Sequence, residues 1–190
     1  MPKKFEKEFI SYCENQNLEV NPNQIKVIKK LEDYHNSNYK SFFSKLFSKQ
    51  KTKKGFYLYG GVGVGKTMIL NFFYDHLEEK KLKKHFNEFM LGFHDFVHEQ
   101  KEKNEENVIN QFVKNLKSKA SLVYFDEFQV TNIVDAMILG KLFEQIFKED
   151  IKIILTSNTK ISELYKEGLQ REQFIPFIKI MEDQSIEYEL

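Results

Sequence analysis

Gly55-Phe56-Tyr57-Leu58-Tyr59-Gly60-Gly61-Val62-Gly63-Val64-Gly65-Lys66-Thr67 is the stretch that decides the fold. Phe56–Tyr59 reads as a short buried strand. It runs into a glycine-rich turn, and a helix is predicted from Lys66 to Lys80. Gly60, Gly61, Val62, Gly63, Val64, Gly65, Lys66 and Thr67 fit the pattern GxxxxGK[ST], with Met68 next along the helix. Glycines let successive backbone N–H groups curl around phosphate oxygens, and the N-terminal end of the helix adds its positive dipole. The Lys66 ammonium would reach the β- and γ-phosphates, and the Thr67 hydroxyl would hold Mg2+. A chance glycine-rich turn is the plain alternative, but a strand before and a helix after are the context in which the pattern works. The expected ligands are ATP and Mg2+.

Downstream, strands and helices alternate, which argues for an α/β P-loop sandwich of three layers with a mainly parallel five-stranded sheet. The reading gives a second strand at His85–Phe89 and a helical stretch from about Met90 to Lys119, divided near the charged gap Lys101–Asn107. A strand at Leu122–Phe125, a helix at Ile133–Phe147, a strand at Ile151–Thr156, a short helix at Ile161–Glu167 and a last strand at Ser185–Leu190 follow. Upstream, residues 2–15 read as a charged helix. Asn21-Pro22-Asn23-Gln24 reads as a helix start, with Asn as cap, Pro at the first helical position and Gln three on. Ile25, Ile28 and Leu31 give that helix an apolar stripe, and His35–Lys54 reads as a linker. The chain is thus divided into an N-terminal helical segment and linker, 1–54, and a P-loop domain, 55–190.

Three further positions carry chemistry. Leu122-Val123-Tyr124-Phe125-Asp126-Glu127 delivers two carboxylates at the C-terminal end of a buried strand, where α/β sheets place their sites. Such a pair is often only a solvated turn. About 60 residues after a P-loop, Asp126 is expected to hold Mg2+ and Glu127 to polarise the attacking water. Ile153-Ile154-Leu155-Thr156-Ser157-Asn158 is another apolar strand with a polar end, and Asn158 is placed to hydrogen-bond the γ-phosphate or the water. Of 29 Lys and Arg residues only Arg171 is arginine. In a chain that otherwise uses Lys, an Arg suggests that the planar guanidinium fork is needed, here for a neighbouring subunit's transferring phosphoryl group. A surface Arg or an intrachain ion pair is the plainer reading.

Net charge is +1, so overall charge offers no case for nucleic-acid binding. The single cysteine, Cys13, cannot form an internal disulfide, which fits a reducing cytoplasm. No apolar run approaches the roughly 20 residues of a membrane span. Tyr39, Phe42, Phe43, Leu46 and Phe47 lie at helical spacing among lysines, a pattern compatible with contact at an anionic membrane surface and more often with protein packing. His94 and His98 are one helical turn apart, but the intervening Asp95 stands where the metal motif HExxH needs Glu.

With these motifs quoted, the chain resembles the ZapE/AFG-like (lactation-elevated-like) family of AAA+ ATPases. The resemblance runs from about Asn21 to the end. It rests on Gly55–Met68, His85–Met90, Phe125–Val130 through Asp135–Gly140, Thr156–Asn158, and Leu164–Tyr165 through Gly168–Arg171 to Phe174–Ile178. Asn87, Asn132 and Lys141 depart from residues usual in the family. The family continues into a helical lid, so an ATPase domain without that lid is expected. The resemblance implies a cytoplasmic, homo-oligomeric ATPase acting on a protein client, in bacteria at the division ring of the inner membrane. A nucleotide-gated binding module with little turnover, and a helicase-loader-type ATPase, are the alternatives.

Overall fold

A computed structural model describes residues 4–39, 52–100 and 104–190. Two helices, α1 (Lys4–Asn15) and α2 (Pro22–Tyr39), precede β1 (Gly55–Tyr59) and α3 (Lys66–Asp75). Then come β2 (Lys81–His85), α4 (Phe86–Glu99), α5 (Glu105–Lys119), β3 (Leu122–Asp126), α6 (Ile133–Lys148) and β4 (Lys152–Ser157). Short 3-10 turns at Ile161–Glu163 and Arg171–Gln173 lead into α7 (Ile175–Gln184) and β5 (Ser185–Glu189). The five strands form one sheet in the order β2-β3-β4-β1-β5, every neighbouring pair parallel.

Alternating side chains of the inner strands feed two cores, as the period of two requires. Phe56 and Leu58, Leu122 and Tyr124, and Ile154 join Phe9, Val27, Ile28, Leu31, Ile69 and Phe73 under α1, α2 and α3. Tyr57, Val123 and Phe125, and Ile153 and Leu155 face the other way, among Phe89, Phe93, Val113, Phe143 and Phe177 of α4–α7. The result is three layers. α1 and α2 are part of this packing: the Tyr34 hydroxyl donates to the Lys54 carbonyl at 2.7 Å, just ahead of β1. Cys13 is buried in the first core as a free thiol.

The second strand lies earlier than the sequence reading placed it. Residues 81–85 form β2, and Phe86 already begins α4. Phe86, Phe89, Met90 and Phe93 are the buried stripe of that helix, at helical spacing. β2 is an edge strand with a single apolar residue, Leu82, and its lysines suit an exposed sheet margin. α3 ends at Asp75 rather than running to Lys80, and the Lys81 ammonium takes the Tyr74 carbonyl in its last turn and the Leu77 carbonyl just beyond it, at 2.5 and 2.6 Å. α7 has no counterpart in the reading; Pro176 sits in its first turn, where a missing N–H costs nothing. The segment read as a linker from His35 starts inside α2, which is helical to Tyr39. The stripe at Phe42, Phe43, Leu46 and Phe47 lies outside the described residues.

Candidate nucleotide-binding site

The C-terminal ends of β1, β3 and β4 lie side by side in the sheet, and the loops that leave them surround one cavity of about 540 Å³. Its lining includes Val62, Gly63, Gly65, Lys66, Thr67 and Met68 from the first loop, Glu127–Gln129 from the second and Thr156–Thr159 from the third. Gly60, Gly63 and Gly65 have φ of 150°, 81° and 96°, a region that L side chains avoid. A Cβ placed on Gly63 would meet nothing within 4 Å, so that turn is open rather than packed.

Lys66 is only 8% exposed. Its ammonium donates to the Gly60 carbonyl at 2.9 Å, the Gly61 carbonyl at 2.6 Å and the Asn158 Oδ1 at 3.0 Å. All three partners are neutral. Burial lowers the pKa of this lysine, against the opposing pull of the Asp126 charge. A buried cation held only by neutral oxygens, beside an open loop at a helix N-terminus, fits an anionic ligand such as a polyphosphate.

Asp126 is 5% exposed. Its Oδ1 accepts from the Thr67 hydroxyl at 3.1 Å and the Thr156 hydroxyl at 2.7 Å. A hydroxyl from the first turn of α3 and a carboxylate from the end of β3 are the hard oxygen donors that Mg2+ takes, with water and phosphate oxygens completing its shell. The Lys83 ammonium stands 3.9 Å from the other carboxylate oxygen. Glu127 is exposed and sits at φ 56°, an unusual conformation for a residue with a side chain. Two bonds from β4 hold it there: its N–H donates to the Thr156 hydroxyl at 3.0 Å, and the Phe128 N–H donates to the Thr156 carbonyl at 2.7 Å. The Phe128 ring is buried against Phe86, at 4.3 Å between centroids, and this anchors the turn in the core. The Tyr57 hydroxyl donates to the Thr159 carbonyl at 2.6 Å and so fixes the loop that carries Asn158.

The structure therefore brings Gly60–Met68, Asp126, Glu127 and Asn158 together around one cavity. Arg171 is not among them. It begins a 3-10 turn, and its Nη2 donates to the Ser162 carbonyl at 2.9 Å. Thr156 is the residue that the reading passed over, having assigned a role only to Asn158 of its polar run. A hydroxyl directly after the apolar run Ile153–Leu155 was the available signal. His94 pairs with Asp135 at 2.6 Å, and no cluster of metal-binding side chains occurs among the described residues.

This combination of an all-parallel β2-β3-β4-β1-β5 sheet, a glycine loop after β1 and carboxylates after β3 is the P-loop AAA+ fold. The solved structure of DnaI shares it, with a TM-score of 0.58 at 20% identity, covering 92% of this chain and 88% of that one. The chain belongs to the AFG1-like ATPase family, which it matches over residues 11–186. It is 39% identical over 161 residues to the zebrafish (Danio rerio) lactation elevated protein 1 homolog B, covering 80% of this chain and 32% of that protein. It is 37% identical over 132 residues to the cell division protein ZapE of Escherichia coli K12, covering 69% of this chain and 35% of that protein. The chain thus spans about a third of the length of these curated relatives. Among the described residues no helix is long and apolar enough to cross a membrane.

Proposed function

We propose that this chain binds ATP with Mg2+ in the Gly60–Thr67 loop and hydrolyses the γ-phosphate as part of an oligomer that acts on protein partners. The buried Lys66 ammonium carries the reading: its three hydrogen-bond partners are neutral, and the Asp126 charge acts on it only from a distance. Triphosphate oxygens would take the ammonium from the loop carbonyls, while the N–H groups of Gly61–Thr67 cradle the phosphates. Thr67 and Asp126 would hold Mg2+, whose charge offsets that developing on the phosphates. Glu127, exposed at the cavity, is assigned as the general base, and Asn158, already touching Lys66, as the group that orients the γ-phosphate or the water. Arg171 stands apart from its own cavity and is assigned to the neighbouring subunit's site. Kinship to ZapE supports, for a bacterial chain, a place in cell division with a protein client, and the net charge of +1 offers no case for nucleic acid as the client. Glu127→Gln tests the chemistry. It keeps the shape and should retain ATP, while turnover falls on the order of 10²-fold or more. Unchanged turnover would remove Glu127 from the mechanism.

A further inference from the structure

Gln24 stands in the first turn of α2, where its sequence position suggested a helix cap. The Asn21 side chain does cap the helix, accepting from the Asn23 N–H at 2.8 Å. Gln24 does something else. It is 9% exposed, and its Nε2 donates to the Val64 carbonyl of the glycine loop at 3.1 Å. Its Oε1 is buried with no hydrogen-bond partner among the described residues. A Cβ built on Gly65 would lie 2.7 Å from the Gln24 amide nitrogen and 3.6 Å from the Met68 terminal methyl, so amide and thioether meet over Gly65.

We infer that Gln24 is a base-reading residue, its Oε1 accepting a hydrogen bond from the 6-amino group of adenine. The inference rests on the glycine loop being the triphosphate site. Glu127 and Asn158 mark the γ-phosphate end of that site, and the loop N–H groups hold the α- and β-phosphates. On that reading the nucleoside would lie toward the Met68 end of the cavity, near where Gln24 of α2 meets the loop at Val64. A carbonyl only accepts, so the Val64 oxygen fixes which end of the amide faces the loop. The free end is an acceptor, and it calls for a donor. Adenine offers N6–H₂, whereas guanine carries the acceptor O6 in its place. Because the same amide holds the Val64 carbonyl, base binding and loop conformation are joined through one side chain.

Calorimetry with ATP, GTP, purine riboside triphosphate (which lacks the 6-amino group) and inorganic tripolyphosphate, all with Mg2+, tests this. Wild-type protein should prefer ATP to GTP and to purine riboside triphosphate by about 3- to 10-fold, the worth of one neutral hydrogen bond. Gln24→Met, similar in size, should lose the preference for ATP over purine riboside triphosphate, on top of whatever loss of the Val64 bond costs all four ligands. Equal loss for all four ligands would make Gln24 a prop for the loop alone and overturn the inference. So would equal wild-type affinity for ATP and purine riboside triphosphate, a comparison that needs no variant. A wild-type protein that binds neither ATP nor tripolyphosphate would overturn the loop reading and this inference with it.

Discussion

Replacing Thr156 by valine keeps the shape of a side chain that is 2% exposed and removes only its hydroxyl. That hydroxyl donates to the Asp126 carboxylate at 2.7 Å and accepts from the Glu127 N–H at 3.0 Å. The first bond is to a buried carboxylate and is worth about 1.5–3 kcal/mol; the second leaves a backbone donor unpaired, at about 1 kcal/mol. Thr67 still donates to Asp126, so the loss is partly cushioned. A net destabilisation of about 2–4 kcal/mol follows. For a chain of this size each kcal/mol shifts the melting temperature by about 2–4 °C, giving a fall of roughly 5–15 °C. Thermal unfolding by circular dichroism, with no nucleotide present, measures it. Thr156→Ser should recover most of the loss, because it restores the hydroxyl and gives up only a methyl group. The Mg2+ needed to half-saturate ATP binding should also rise in Thr156→Val, since Asp126 is no longer held in place. A Thr156→Val protein that melts within about 1 °C of wild type would refute the reasoning.

Glu127→Gly should relieve a left-handed backbone that costs about 1–2 kcal/mol, raising the melting temperature by a few degrees while turnover is lost. An unchanged or lower melting temperature would show that the conformation at φ 56° stores no strain. Arg171→Lys should leave ATP affinity intact but cost most of the assembled turnover, as arginine fingers are worth roughly 10³–10⁵ in rate. Mixing Lys66→Ala with Arg171→Ala should restore part of the activity, because some interfaces then join an intact site to an intact finger. A mixture as inactive as its components, where wild-type turnover rises with protein concentration, would count against a finger acting between subunits.

Legibility followed local chemistry. β3 and β4 carry the apolar runs Leu122–Phe125 and Ile153–Leu155, and each core takes alternate residues of them, so the inner sheet could be read directly. The glycine loop announced itself because backbone curvature and phosphate contact demand an unusual composition at fixed spacing. β2 was misplaced for the opposite reason. An edge strand of Lys81-Leu82-Lys83-Lys84-His85 buries little and shows no alternation, while Phe86 and Phe89 beside it supplied the apolar signal. Those two rings belong to a helix face, as their spacing with Met90 and Phe93 would have said. Thr156 and Gln24 were illegible in another way. Their partners lie 30 and 40 residues away, across strands and layers, and no local pattern reports such a bond. Arg171 stood out by composition and by its place after the β4 strand, which mark a residue without locating what it faces.

The central claim is that Lys66 is a cation awaiting phosphates, and one titration tests it most directly. ATP with Mg2+ is titrated into wild-type and Lys66→Ala protein in a calorimeter. Loss of a charge-assisted contact worth about 1.5–3 kcal/mol predicts at least a roughly tenfold weaker ATP affinity in the variant. Equal affinity in the two proteins would contradict the account, because it would leave the buried ammonium with no part in holding the nucleotide.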